Sequence, residues 1–264
     1  MNALLKNKYL RLLSIKKAIK EMDELNEKLM REREIKQEFF ANASHELKTP
    51  ITSIRGYAEL LDSGMVTNED MKKDMISRIK KEADHMTALI SDILEVSKLE
   101  SGEEEPEIMY VDISHMIKEL IETFKPKAEE NRVSIHNYTQ EKVFVYADYS
   151  HIEEIASNLI SNAIRYNRKS GKVWINAYNE GNMFILRVRD TGIGIADEEK
   201  EKIFNRFYRI DKGRSKATGG TGLGLSIVKH LLSYYNGTID VNSKQGSGSE
   251  FVVKIPSHYN IKKN

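Results

Sequence analysis

The first hundred residues of this chain leave room for little besides long helices. Through Ser101 there is one proline, Pro50, and two glycines, Gly56 and Gly64, among runs of lysine, glutamate and leucine. Strong helix formers at that density favour helix over other backbone states. Apolar residues recur at steps of three and four through Ile15, Ala18, Met22, Leu25 and Leu29. That is the seam of a two-stranded coiled coil. A second seam runs through Phe40, Ser44, Leu47, Ile51, Ile54, Ala58 and Leu61. The step of eleven from Leu29 to Phe40 is a heptad plus four, a stutter that locally unwinds a left-handed supercoil.

Gly64 breaks the pattern, and Thr67 with Asp70 three residues later is expected to cap a second helix. Met86, Leu89, Ile93 and Val96 carry an apolar stripe down it. Ser101-Gly102, the acidic run Glu103 to Glu105 and Pro106 mark its end and a linker. A hairpin of two such helices leaves its stripe open in a single chain. A homodimer closing it into a four-helix bundle is therefore expected.

Beyond Pro106, β-rich runs (133–138, 143–146, 172–179, 183–189, 237–242 and 250–255) alternate with helical stretches at 113–130, 150–166 and 222–235. This order predicts an α/β sandwich, one helical layer on a mixed sheet. The fold class is thus α + α/β, a dimeric helical hairpin followed by a sandwich. The expected divisions are a coiled-coil helix at 1–34, the hairpin at 35–102, a linker at 103–110, the sandwich at 111–257 and a frayed tail at 258–264.

Bulk properties remove several function classes. With 41 basic and 40 acidic residues, the net charge of +1 supplies no general attraction to nucleic acid. The absence of cysteine excludes disulfides, thiolate metal sites and cysteine nucleophiles. No apolar run approaches the roughly 20 residues of a membrane-spanning helix, so no membrane contact is expected of this segment. The start lacks the apolar core and cleavage site of a signal peptide. A cytoplasmic location is the expectation, either as a soluble protein or as the intracellular portion of a membrane-anchored receptor.

Four segments carry chemistry. In Ser44-His45-Glu46-Leu47-Lys48-Thr49-Pro50, the histidine flanks the apolar seam, and Thr49 lies one turn on along the same face. Glu46 could fix the tautomer of His45 and sharpen its other nitrogen as a nucleophile; taken alone, an ordinary solvated helix histidine is the commoner meaning. Asn158 and Asn162 share one helix face with Arg165, a set suited to Mg²⁺ and phosphate or simply to a polar surface. Asp190-Thr191-Gly192-Ile193-Gly194-Ile195 follows a predicted strand; its aspartate can accept from the amine of a base, though the run also suits a plain turn. Gly219-Gly220-Thr221-Gly222-Leu223-Gly224-Leu225 opens a helix, where free N–H groups and the positive dipole end favour phosphate. It has neither the Gly-Lys-Ser/Thr ending of a Walker A loop nor dinucleotide-binding glycine spacing. Between the glycine segments, Phe204, Arg206, Phe207, Tyr208, Arg209, Lys212, Arg214 and Lys216 read as a basic lid with aromatic anchors, or as a solvated loop with core aromatics.

In this order and spacing, over roughly residues 35–256, the segments resemble those of two-component sensor histidine kinases. The resemblance is to a dimerisation and histidine-phosphotransfer hairpin followed by the ATP-binding domain shared with gyrase B, Hsp90 and MutL. It implies that His45 accepts a phosphoryl group from ATP, with Glu46 as its acid/base. Thr49 then positions water when the phosphorylated partner, a response regulator, is dephosphorylated. It further implies that Asn162 binds Mg²⁺ with Asn158 nearby, and that Asp190 takes the adenine amine. Arg165, Tyr166, Gly192, Gly194, Ile195, Gly220, Thr221, Gly222, Leu223 and Gly224 would line the nucleotide pocket. Phe204 and Phe207 resemble the paired lid aromatics, and Arg209 the lid arginine of the γ-phosphate. Arg165 departs from the family's usual lysine, keeping charge but changing geometry. An ATPase of the same nucleotide fold, and a coiled-coil scaffold with a relic nucleotide domain, are the rival readings.

Overall fold

The computed structural model describes residues 3–101, 106–210 and 220–257. The chain divides into two compact units, residues 1–82 and 83–264.

The first unit contains helix α1 (Ala3–Asp62) and the start of helix α2 (Glu69–Ser101). With no breaker before Pro50, α1 is continuous through the stutter and through Pro50 itself. Asn68, not Thr67, caps α2: its Oδ1 accepts from the N–H groups of Asp70 (2.8 Å) and Met71 (3.2 Å). Asn one residue closer reaches the second and third free N–H groups of the first turn, which Thr67 does not. The seam read from sequence is only partly covered in the single chain, with Phe40 52% and Ile51 51% exposed and Leu47, Ile54 and Leu61 half-buried. Phe39, Ala43 and Pro50, on the neighbouring face, are buried. Helix α1 therefore has two apolar faces, only one of them satisfied within the chain.

The second unit takes in the rest of α2 and then β1 (Ile108–Asp112), α3 (Ile113–Glu130), β2 (Ser134–Asn137), β3 (Phe144–Asp148) and α4 (Tyr149–Arg165). It continues with β4 (Lys172–Glu180), β5 (Met183–Asp190), α5 (Gly224–Tyr234), β6 (Thr238–Lys244) and β7 (Gly248–Pro256). Strand β1 begins at Ile108, inside the expected linker of 103–110. Ile108-Met109-Tyr110-Val111 pairs antiparallel with β3, a long-range partner that local pattern does not reveal. The main sheet has order β2-β4-β5-β7-β6, with only β2 and β4 parallel.

Alternation places Val173, Ile175 and Ala177 of β4 and Phe184, Leu186 and Val188 of β5 inward. Helix α4 lies over β4 and β5, α3 beside it toward β2 and α5 toward β6. The buried stripe of α4 (Ile152, Ile155, Ala156, Leu159, Ile160, Ala163 and Ile164) recurs every three or four residues, as the central helix of one layer requires. Aspartates start two helices: Asp112 accepts from the His115 N–H at 3.0 Å, and Asp148 from the Ser150 N–H at 2.8 Å. Tyr235, fully buried, ties α5 to α4. Its hydroxyl accepts from the Asp148 N–H at 3.1 Å and lies 2.7 Å from His151 Nδ1.

Candidate functional site

Helix α4 is the floor of the site. Its buried stripe fixes the rotation of the helix, and that rotation turns Asn158, Asn162 and Arg165 to the opposite, half-exposed side. The two asparagines differ in their freedom. Asn158 Nδ2 donates to Glu154 Oε1 (2.7 Å) and to the Glu154 carbonyl (3.0 Å), which sends Oδ1 toward Gly224. The side-chain amide of Asn162 makes no hydrogen bond among the described residues. Its oxygen is thus available to a ligand. Burial pushes the Glu154 carboxyl up from its ordinary value, opposed by the bond from Asn158.

Asp190 ends β5 at only 7% exposure. Its Oδ1 accepts from the N–H groups of Gly192 (2.6 Å) and Ser249 (3.3 Å). Oδ2 takes no bond among the described residues. Burial raises its pKa to about 6, the two backbone donors pulling the other way. A carboxylate so held has one oxygen spent on orientation and one left to accept from a donor such as an exocyclic amine.

Three close approaches weld the segments around α4. A Cβ on Gly192 would fall 2.2 Å from the Tyr166 carbonyl oxygen, and the Ile193 N–H donates to that same oxygen. A Cβ on Gly220 would meet Arg165 NH1 at 3.0 Å and the Tyr166 hydroxyl at 3.1 Å. One on Gly224 would fall 2.1 Å from Asn158 Oδ1. Gly222 adopts φ +77 against the backbone of Phe207, which itself has φ +58. The left-handed Gly222 corrects the expected helix start at 222: α5 begins two residues later, at Gly224. Leu223, fully buried, and Ile195, 9% exposed, anchor the two loops in the apolar core. Gly194 approaches the Lys244 carbonyl.

Phe204 ends a short 3-10 turn, with the Lys229 ammonium 6.0 Å from its ring, and Phe207 and Arg209 follow, half-buried. Tyr208 donates its hydroxyl hydrogen to Glu199. Lys212, Arg214, Lys216 and Gly219 lie outside the described residues, as do the acidic linker Glu103–Glu105 and the tail from His258. Among the described residues no group of three or more His, Cys, Asp or Glu could hold a metal. Any divalent cation here would be held by an amide oxygen and the ligand's own phosphates.

In the first unit His45 is exposed on α1. A shallow open depression is lined by His45, Lys48, Thr49, Thr52 and Ser53. The Thr49 hydroxyl donates to the His45 carbonyl at 3.3 Å, as helical threonines do, and Glu46 lies half-buried beside the histidine.

Sequence reasoning missed Gly248 and Ser249. Ser249 donates to Asp190, and Gly248, at φ +93, packs where a Cβ would fall 2.1 Å from the Asp190 carbonyl. A Gly-Ser-Gly-Ser run before a strand was the available signal. Missed too was Asp92 of α2, whose Oδ2 accepts from the Thr221 hydroxyl at 2.5 Å. Nothing local in the sequence marks it.

Two family models and a set of relatives match this chain. Residues 35–102 match the His Kinase A (phospho-acceptor) domain, and residues 147–259 match the histidine kinase-, DNA gyrase B- and HSP90-like ATPase domain. The sensor-like histidine kinase SenX3 of Mycolicibacterium smegmatis is 35% identical over 84% of this chain and 58% of its own length. The sensor histidine kinase WalK of Bacillus subtilis is 34% identical over 87% of this chain and 38% of its own. The chain thus spans about half the length of these curated relatives or less. Among solved structures, the histidine kinase AdeS of Acinetobacter baumannii superposes with TM-score 0.67 at 25% identity, over 81% of this chain and 98% of that one. The histidine kinase ThkA, solved in complex with the response regulator TrrA, gives TM-score 0.68 at 25% identity, over 85% and 63%.

Proposed function

This chain belongs to the two-component sensor histidine kinase family, and on that footing we propose that it transfers the γ-phosphoryl group of ATP to His45. The observation that carries the reading is the state of Asp190: buried, oriented through one oxygen by Gly192 and Ser249, and without a bond through the other among the described residues. Adenine presents an N6 amine donor to such an acceptor. The glycine loop and the start of α5 suit the phosphates, with Arg165 as the cation beside them. Phe204, Phe207 and Arg209 would serve the lid, Arg209 toward the γ-phosphate.

Mg²⁺ fits the free amide of Asn162, and when bound it would neutralise charge on the phosphates. One ring nitrogen of His45 attacks the γ-phosphorus as the bond to the ADP oxygen breaks. Glu46 takes the ring proton that is lost. The phosphoryl group then passes to an aspartate of a response regulator docked at the hairpin, and Thr49 positions water for the opposing phosphatase activity, hydrolysis of that phosphoaspartate to free phosphate. The exposed seam of α1 supports a homodimer, and no helix among the described residues is long and apolar enough to cross a membrane. We assign residues 35–102 to the phosphotransfer hairpin and 111–257, extended by β1, to ATP binding.

Incubation with Mg²⁺ and γ-labelled ATP tests the reading. Acid-labile label on the wild type, absent from His45→Gln while binding of an ATP analogue persists, is the expected result. Steady phosphate release without label would give the site to the ATPase reading instead.

A further inference from the structure

The last three turns of helix α2, in the second unit, carry Asp92 and Glu100 beside its apolar stripe. Asp92, Val96, Leu99 and Glu100 fall at i, i+4, i+7 and i+8, a single helix face. Each member of that face is engaged. Val96 is buried. The Leu99 carbonyl lies 3.2 Å from His230 Nε2 of α5, and Glu100 Oε1 is 2.6 Å from the Arg206 guanidinium at the entry to the lid. Asp92 reaches the glycine loop, accepting from Thr221 at 2.5 Å across 129 positions of sequence.

The place of that carboxylate is the informative point. The Thr221 hydroxyl is oriented as its donor because the same oxygen accepts from the Leu223 N–H at 3.3 Å. Thr221 is 8% exposed, so the bond is shielded from water. Burial pushes the Asp92 carboxyl up, while the Thr221 bond and the charge of Arg165 draw it back down. A carboxylate held by a glycine-loop hydroxyl, next to the Gly220 that Arg165 approaches, has the surroundings of a phosphate oxygen.

We propose that Asp92 is an internal anion seated where the phosphates of ATP bind, so that nucleotide binding and packing of the end of α2 against the glycine loop exclude each other. The proposal rests on the reading that Thr221 and Arg165 serve the phosphates. Two anions cannot share one shielded seat without strong repulsion. ATP must therefore displace Asp92, and losing that anchor leaves the end of α2 held only by buried Val96, the Leu99–His230 contact and the Glu100–Arg206 pair. The helix end is released by the substrate itself. Thr221 thereby couples occupancy of the pocket to the freedom of the domain that carries it.

The test compares wild type and Asp92→Asn for binding of a non-hydrolysable ATP analogue with Mg²⁺ and, separately, of adenosine. Loss of the internal competitor should tighten the analogue on the order of tenfold, the factor for a binding-competent state populated to about a tenth. Adenosine has no phosphate and should bind both proteins equally. Equal analogue affinity overturns the proposal and leaves the kinase reading standing, and so does a gain shared by adenosine. Failure of both proteins to bind either ligand overturns the function as well. Hydrogen exchange on the wild type is independent of any variant's folding: the analogue should speed exchange at residues 92–101 and adenosine should not. Unchanged exchange refutes the release.

Discussion

Asp190→Asn isolates the one group whose ionisation the fold opposes and the proposed ligand requires. The carboxyl moves from 3.8 to about 6 on folding, because burial outweighs the donations from Gly192 and Ser249. At 1.36 kcal/mol per pKa unit the ionised form costs about 3 kcal/mol in the folded state at neutral pH. The sign follows from proton linkage. Between the two pKa values the folded state binds more protons, so this contribution to stability falls as pH rises through that window and is constant above it. Adenine's amine needs the ionised oxygen as acceptor, so affinity should follow the ionised fraction. Titration with adenosine, which carries no titrating phosphate, should give constant affinity from pH 7 to 8 and a loss of about tenfold at pH 5. In Asp190→Asn the side-chain oxygen can still serve Gly192 and Ser249. Its neutral amide should weaken adenosine binding by about 10- to 100-fold, the worth of a hydrogen bond to a charged group, and abolish the pH dependence. Urea unfolding at pH 7 should show the variant as stable as wild type or more so. A variant that keeps the acid-side loss of affinity would refute the reasoning, since some other group would then own the titration.

Two further perturbations address the supports of the site. Gly192→Ala places a Cβ 2.2 Å from the Tyr166 carbonyl and 2.7 Å from Asp190 Oδ1. Thermal unfolding should show a loss of about 1–3 kcal/mol, with binding of the ATP analogue reduced alongside it. Tyr235→Phe removes the hydroxyl shared by the Asp148 N–H and His151 Nδ1, and should cost about 1–3 kcal/mol in urea unfolding while adenosine affinity stays within error. His151 is held below its ordinary pKa by burial. Its contribution to wild-type stability should therefore decline as pH falls through the unfolded-state value, the opposite trend to Asp190.

Much of this protein is carried by local pattern. The helix of 113–130 and the strands of β4 and β5 appear at nearly the residues expected, because periodic burial and capping aspartates are local instructions that no distant contact overrides. Asn162, Asp190 and the glycines were likewise visible as residue types at meaningful spacings. What sequence could not determine were features that exist only between distant segments. Strand β1 is an extended run whose identity depends on β3, some thirty positions on. Ser249 becomes part of the site only because β7 lies beside β5 in the sheet. The two faces of α1 are both apolar in sequence, and only folding leaves Phe40 open and Phe39 buried. Asp92 is the sharpest case, an ordinary helix carboxylate until tertiary packing presses it against Thr221. Local free energies are written along the chain; burial and charge pairing across it arise only when the chain closes on itself.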